Sequence, residues 1–557
     1  MDRLSIRIFG CALLAVSASA SAGQPPVQLA WLHGEEMVAV QRTAANGAQT
    51  VTVPLRTPLG SVWKLFVYGY LAGRDAQEPA YRCDAVQRQA DDEYCCDPGA
   101  SIGRDVALAR SCGPYFEPAR LGLTQADWSR FWQQADAPPW LHRLRALRPE
   151  TELPVADLLL ALERMPVASR VAARQALLPL SLREDGVLAA LGAGPRMKTW
   201  SWRVDGERAG GAAGWLADGT PFWLEGPGTS RTVLRAHAGW VAAQWSAHGL
   251  DAARADAAVM SAEPCIDVDF FRRYPIASVR RGDGGEVAAG PLRGRYVVAF
   301  RNGTRLPVEA DSALRLIADR DGPAVVGRLS LEGYVARVVD REGQGREVEA
   351  ARALAIAART YVLQNAIEGE GCRAIADDSR QQRVSPNPPS AAARAAAAFT
   401  EGLVLDGTAV RYHADRAGPG VMSWQAAVQV ARDGAGFEAI LRTAYPGAAL
   451  AGVASGNDCE PLPQAEGWLK TRELRWRPVL RAEPGFEPPS AAVRVCQLAI
   501  GVPYSDQRRL LVRIREWQSR EGRVTLIHEY LHLAFRNHPS GHDERYVERL
   551  AQRLADL

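Results

Sequence analysis

Between Cys265 and Asp319 the chain alternates short apolar runs with turn residues. CIDVDF (265–270), GRYVVAF (294–300) and ALRLIAD (313–319) are broken by Arg281-Gly-Asp-Gly-Gly285 and Asn302-Gly303. Such alternation between glycine-bearing turns predicts a β-rich stretch. At Leu331 the pattern changes. The run LEGYVARVVDREGQGREVEAARALAIAARTY (331–361) opens with an apolar and aromatic segment and reaches Glu342 in a glycine-bearing turn. It then enters an alanine-rich helix, Val348 to Gln364, whose apolar positions recur at helical spacing.

The flanks differ in pattern. Thr57 to Leu71 reads as a loop turning into an apolar helix, and GGAAGWLADGTPFWL (210–224) as a twisted β region. Near the end, Pro461 to Pro489 reads as linker and loop, followed by a short apolar segment, Ala491 to Leu498. Leu510 to Trp517 and Arg523 to Phe535 then read as two helices. The division expected is a leader at 1–22, then modules at 23–250, 255–455 and 456–557, in a multidomain α/β protein.

Composition changes this picture in four ways. Arg3 and Arg7, an apolar run and the small residues Ala18 to Ala22 make a secretory signal peptide, with cleavage near Ala22. A periplasmic or secreted protein follows, with no later stretch apolar enough to span a bilayer. Setting Cys11 aside leaves eight cysteines, an even set that favours disulfides of open pairing. A net charge of +3 on 557 residues gives no reason to expect nucleic acid as a partner. Only Lys64, Lys198 and Lys470 are lysine. A lysine kept where arginine is otherwise used suggests an amine that must give up its proton.

Ser61 and Lys64 are three apart, hence on one helical face, where the amine can take the serine proton. Ser111-Cys-Gly113 follows at the end of a helix, and Lys198-Thr199-Trp200 precedes the β region. In order and spacing the three segments resemble the motifs of penicillin-binding transpeptidases and class D β-lactamases. That resemblance implies an α+β domain with Ser61, Lys64, Ser111 and Lys198 as catalytic residues and Thr199 as a substrate contact. Gly113 stands where the family often has asparagine. Trp200 replaces a glycine, and its ring is expected to crowd the edge along which substrate lies.

Leu331, Glu332, Tyr334, Val335, Val338, Val339 and Glu342, the AARTY ending at Tyr361, the Asp378 to Gln382 segment, Gly402-Leu-Val-Leu405, Tyr412-His413, Gly420 to Ala426 and Phe437 to Gly447 occur in that order. Together they resemble the sporulation stage II protein D family of lytic transglycosylases and amidase enhancers. The resemblance implies an α+β domain acting on peptidoglycan, with Glu342 as the catalytic acid and Tyr334, Gln381, His413 and Ser423 as substrate contacts. Gly343-Gln344 departs from the family's Met-Pro.

His528-Glu529-Tyr-Leu-His532 places two imidazoles at i and i+4 with a glutamate between them. In that arrangement the histidines bind zinc and the glutamate activates its water. A third ligand is needed. Asp543 is the first choice and His538 the next, so the last module is expected to be a small helical zinc-peptidase-like domain. The HEYLHLAF ending also resembles a secreted bacterial family of undefined function (DUF2300). The expected function is glycan cleavage on peptidoglycan or another envelope polymer, with a zinc peptidase site at the C-terminus. A non-catalytic envelope scaffold with a degenerate β-lactamase-like domain, and a zinc metallopeptidase acting on proteins, stand as alternatives.

Overall fold

A computed structural model describes residues 26–557, apart from 35, 44–46, 75–77, 84–94, 96–98, 100, 183–185, 205, 251–264, 312, 320–321, 344, 369–370, 379–381, 409, 413–420, 454–460, 490, 498–502, 507–509, 537 and 543. The leader, Gln381, His413 and Asp543 therefore lie outside the described residues.

The N-terminal module is built on a six-stranded antiparallel sheet. Its strands are β1 (Gln28–His33), β2 (Glu36–Arg42), β3 (Ala48–Thr50), β4 (Arg196–Val204), β5 (Glu207–Trp215) and β6 (Pro221–Pro227), in the order β3-β2-β1-β6-β5-β4. β5 is rich in glycine and alanine for a steric reason. A Cβ on Gly211 would sit 1.8 Å from the Leu224 carbonyl oxygen, and one on Gly214 would sit 2.0 Å from that of Arg196. Apolar side chains cover both faces of the sheet. One face meets Val233, Trp240 and Trp245 of α3 (Ser230–Ala247). The other meets α1 (Trp63–Arg74) and a tryptophan-rich core that includes Trp128 and Trp132 of α2 (Gln125–Gln134), Trp200 and Trp223.

The central module has a second six-stranded sheet: β7 (Cys265–Phe270), β8 (Gly290–Pro291), β9 (Leu314–Asp319), β10 (Gly322–Leu329), β11 (Ile367–Glu368) and β12 (Cys372–Ala376), ordered β8-β9-β10-β7-β12-β11. β12 runs parallel to β7, and the Cys265–Cys372 disulfide joins them at one end. Cys95 and Cys112 form a second disulfide, and Cys83 and Cys496 each belong to a further disulfide. Against this sheet pack α4 (Leu331–Gly343) and α5 (Val348–Asn365), followed by α6 (Ala391–Phe399) and α7 (Trp424–Arg432).

The stretch read as a segment ending in a turn at Glu342 is instead helical throughout, so Glu342 lies in the last turn of α4. Leu331, Tyr334, Val335, Val338 and Val339 recur at three- and four-residue spacing and form its buried stripe. The alanines of α5 are buried and let its neighbours approach closely. At its end Arg359, fully buried, makes a two-nitrogen ion pair with Glu332 and donates to the Leu403 carbonyl at 2.9 Å.

The first two modules touch through a built contact. Ala193 N–H donates to the Phe399 carbonyl at 2.7 Å, at the C-terminal end of α6, where unsatisfied carbonyls seek donors. Arg174 and Arg196 both reach Glu401, just beyond that helix.

In the last module the Leu510 to Trp517 segment is a strand and not a helix. β13 (Arg494–Gln497), β14 (Tyr504–Asp506) and β15 (Leu511–Ile514) form a sheet ordered β13-β15-β14. Every residue of β15 is buried, as a central strand covered on both faces requires. The stretch read as linker is largely the helix α8 (Pro463–Leu480), which begins with proline at its first position, where no amide hydrogen is needed. With α9 (Arg520–Ala534) and α10 (Glu544–Ala555) the module is α/β and not purely helical.

Candidate functional sites

In the N-terminal module three of the four expected polar groups meet. Lys64 Nζ donates to Ser61 Oγ at 3.2 Å, to Ser111 Oγ at 3.2 Å and to the Ser111 carbonyl at 2.7 Å. Ser111 has φ +56°, a left-handed conformation rare outside glycine and often found at functional sites. Gly113 opens the space beside the amine: a Cβ there would lie 3.8 Å from Lys64 Nζ. Lys198 is fully buried on the edge strand β4 and donates to the Thr199 carbonyl at 2.9 Å, while Thr199 itself is half-buried.

Trp200 shares a strand face with Lys198, two residues away. It is buried against the residue before Ser61. A Cβ on Gly60 would lie 3.0 Å from Trp200 Cβ and 3.3 Å from its ring. The indole N–H is buried with no hydrogen-bond partner among the described residues, a cost of about 1–3 kcal/mol.

In the central module, Glu342 is half-buried and its Oε1 accepts the Arg383 N–H at 2.8 Å. The next residue, Val384, donates its N–H to Asp377 Oδ1 at 3.0 Å. Burial pushes the Asp377 carboxyl up. Tyr334, expected to touch substrate, is fully buried and donates to Gln382 Oε1 at 2.6 Å. Burial first, and then the nearby charge of Glu342, holds its phenol well above the ordinary range. Tyr334 therefore braces the site from inside, because its position on the buried stripe of α4 faces the core.

Gly343 has a steric reason to be glycine. A Cβ there would meet Trp424 at 2.9 Å and Leu354 at 2.7 Å, so the Trp424 ring lies beside the residue following the acid. Ser423 is buried but lines a cavity of about 310 Å³ with Met422, Ala426, Val430, Ile440 and Pro446. A larger hollow of about 550 Å³ lies over the central sheet, lined by Asp267, Asp269, Arg328 and Ile367 among others, and holds none of the expected residues. Asp377 and Gln382 were not among the residues expected from the sequence; Gln382 adjoins the expected Gln381, which lies outside the described residues.

In the last module, His528 and His532 lie on one face of α9 with ring centroids 4.9 Å apart, and Glu529 is buried between them in sequence. Each Nδ1 has a protein partner. That of His528 lies 2.9 Å from the Glu548 carboxylate of α10, and that of His532 lies 2.7 Å from the Gly541 carbonyl. In metal sites, contacts of this kind at one ring nitrogen fix the tautomer and orientation of the ring. His538 does not join them. Its ring lies over Gly485, where a Cβ would clash at 2.1 Å, and its Nδ1 lies 3.0 Å from Ser540 Oγ. Among the described residues no three His, Cys, Asp or Glu side chains stand together as a metal site. Glu548 had no sequence signal, since its place depends on the fold of the following helix.

These modules make the chain a multidomain α/β protein whose residues 319–406 match the Stage II sporulation protein family. Residues 87–209 and 420–540 match the family described as predicted secreted protein (DUF2300). The chain belongs to that secreted family. It is 38% identical over 552 residues to the uncharacterized protein YfaQ of Escherichia coli (strain K12), covering 97% of this chain and 98% of that one. Secretion agrees with the leader read from the sequence, and no helix among the described residues is long and apolar enough to cross a membrane.

Among solved structures, a class D β-lactamase from Bacillus subtilis is similar with TM-score 0.27 and 11% identity, over 41% of this chain and 93% of that chain. The class D β-lactamase of Sebaldella termitidis ATCC 33386 is similar with TM-score 0.27 and 10% identity, over 40% and 91%. Scores this low add nothing to the N-terminal site, which stands on its own residues.

Proposed function

We propose that the protein is a secreted, peptidoglycan-directed enzyme whose central module cleaves the glycan strand, with Glu342 as its acid. The observation that carries this reading is the setting of Glu342. The carboxyl is half-buried at the end of a packed helix, steered by the Arg383 N–H, with the Tyr334–Gln382 pair behind it. A carboxyl held in this way can protonate the glycosidic oxygen as the bond breaks. The same group, then a base, takes the proton of the sugar 6-hydroxyl as its oxygen closes on the anomeric carbon, so no water is consumed and the proton count balances. The match of residues 319–406 to a sporulation protein family, in a secreted chain, supports a cell-wall polymer as substrate.

Digestion of purified sacculi tests it. The expected products are anhydro-muropeptides, released by the unaltered protein and lost in Glu342→Gln. No release by the unaltered protein would sink the proposal in favour of an envelope-binding scaffold.

A second reading, a zinc peptidase site, is favoured by the two Nδ1 contacts that orient His528 and His532. His528 and His532 would hold the ion through two imidazoles, and Asp543, outside the described residues, is the candidate third ligand. Zinc bound there would supply a Lewis acid and an activated water. Glu529 would accept the water's proton, and Glu548 keeps His528 in its binding tautomer. Metal analysis of the purified chain is expected to find about one zinc per chain. Glu548→Gln is expected to weaken binding about 10- to 100-fold, the usual effect of losing such a supporting contact. Zinc absent from the unaltered chain, or retained in His528→Ala, would count against it.

A further inference from the structure

The charge of the whole chain, +3, hides an uneven distribution. Between Arg272 and Arg305 stand eight arginines and only two acids, Asp283 and Glu286, and all ten are exposed. The stretch lies outside both family matches. It folds as a three-stranded antiparallel sheet of Ile276–Arg281, Gly294–Phe300 and Arg305–Ala310, in that order.

The pairing decides which side chains share a face. Val279, Tyr296, Val298, Phe300, Val308 and Ala310 are buried in the core, so the alternate positions point outward. On that outer face Arg280 stands opposite Val297, Arg305 opposite Ala299, and Arg295 opposite Glu309. Arg281 and Arg293 stand at the same end of the sheet as Arg295, whose Cβ would lie 3.4 Å from a Cβ on Gly282. Arg272 and Arg273 have partners in Asp269 and Asp378. Arg280, Arg281, Arg293, Arg295 and Arg305 hold no ion pair among the described residues. Glu286 and Glu309 lie opposite Arg280 and Arg295 in the pairing but form no ion pair with them, so positive charge stays in excess.

Guanidinium groups match phosphate oxygens with two parallel N–H donors. Here they are spread over three strands, and a layer of anionic groups can meet all of them where a single thread would meet one row. Tyr274, 56% exposed, stands at the other end of the sheet against Phe300, and tyrosine is favoured where a bilayer meets water. We infer that this sheet face docks the secreted chain on a bilayer bearing anionic phospholipids, with the five arginines on lipid phosphates. The contact is peripheral and reversible, each basic side chain near such a surface strengthening it about fivefold. It is independent of the glycan chemistry.

Flotation of the full chain with lipid vesicles tests it. Vesicles of phosphatidylcholine containing about 30% phosphatidylglycerol are expected to carry the protein, and phosphatidylcholine alone is not, with binding lost at high salt. Replacing Arg280, Arg295 and Arg305 together by glutamine is expected to weaken binding about 10²-fold. The same change at Arg130, Arg148 and Arg520, exposed arginines that already have acidic partners, is expected to leave binding largely unchanged. Thermal unfolding establishes that each variant is folded, and Arg281→Gln with Arg293→Gln serves as a second variant should the first fail to fold. Equal flotation with both vesicles, no flotation with either, or equal losses in patch and control variants would overturn the inference. Capture on purified sacculi that the patch variant loses, with vesicles unbound, would overturn the bilayer in favour of a wall polymer.

Discussion

The N-terminal and central modules invert one another. Around Ser61 the polar groups are complete, with a serine, an amine and a second hydroxyl within 3.2 Å, and an indole of the edge strand packs on the neighbouring Gly60. Around Glu342 the carboxyl accepts a backbone N–H and has a buried phenol behind it, half-buried at a helix end. Ser61 and Glu342 are both half-buried, so what separates the two sites is their make-up and not access. The proposed chemistry needs one carboxyl that both gives and takes a proton, and that is why the sparser site carries it.

The largest effect expected from this contrast is at Glu342. Glu342→Gln keeps an oxygen to accept the Arg383 N–H but cannot deliver a proton, so the rate of glycan cleavage is expected to fall by about 10²- to 10⁴-fold. The folded state should be little changed. Parallel measurement of anhydro-muropeptide release and thermal unfolding checks this, and a fall in rate matched by loss of the fold would mean that the residue is a helix-end support and not an acid.

The next effect falls on the same helix, ten residues earlier. Glu332 pairs with the fully buried Arg359 and also accepts the Gly402 N–H at 3.1 Å. Glu332→Ala leaves a buried guanidinium without its carboxylate, at a cost of about 3–5 kcal/mol, and urea unfolding is expected to report it. The comparison sharpens here: loss at Glu332 should appear in stability, and loss at Glu342 in rate. Equal losses in both variants would erase the distinction between scaffold and site on α4.

Much of this was legible in the sequence, for identifiable reasons. Ser61 and Lys64 are close because three residues along a helix bring side chains together, and the His528–His532 pair follows from the same rule. The AARTY ending contains Arg359, though only the fold reveals that its partner is Glu332. The errors came where local pattern and tertiary context disagree. Leu511 to Ile514 is apolar apart from Arg513 and has no clear period, and length alone could not separate a covered strand from a helix. Pro463 and Pro478 made α8 look like linker, although the first sits where proline is tolerated. Glu342 was placed in a turn because Gly343 and Gly345 follow it, whereas Gly343 is needed for contact with Trp424 and Leu354. Glu401, which joins two modules through Arg174 and Arg196, had no motif at all.

A smaller effect tests whether a perturbed acid outside the proposed glycan site has any role beyond stability. Glu225 on β6 lies beside Thr57, four residues before Ser61, and burial pushes its carboxyl up to about 7. One of its oxygens is buried with no hydrogen-bond partner among the described residues. An unfolded glutamate titrates near 4.3, so between about pH 4.3 and 7 the folded chain holds a proton that the unfolded chain has released. Stability from this group is therefore fully present below that window and declines as pH rises through it, by up to about 3 kcal/mol above pH 7. Glu225→Gln cannot ionise. The variant is expected to match the unaltered protein near pH 4 and to exceed it near pH 8, most clearly in hydrogen-exchange protection of β1 and β6, which pair at Gln28 and Glu225. Parallel pH curves for the two proteins would remove Glu225 as the source. A change in glycan release on Glu225→Gln, with folding intact, would break the separation of modules on which the comparison rests.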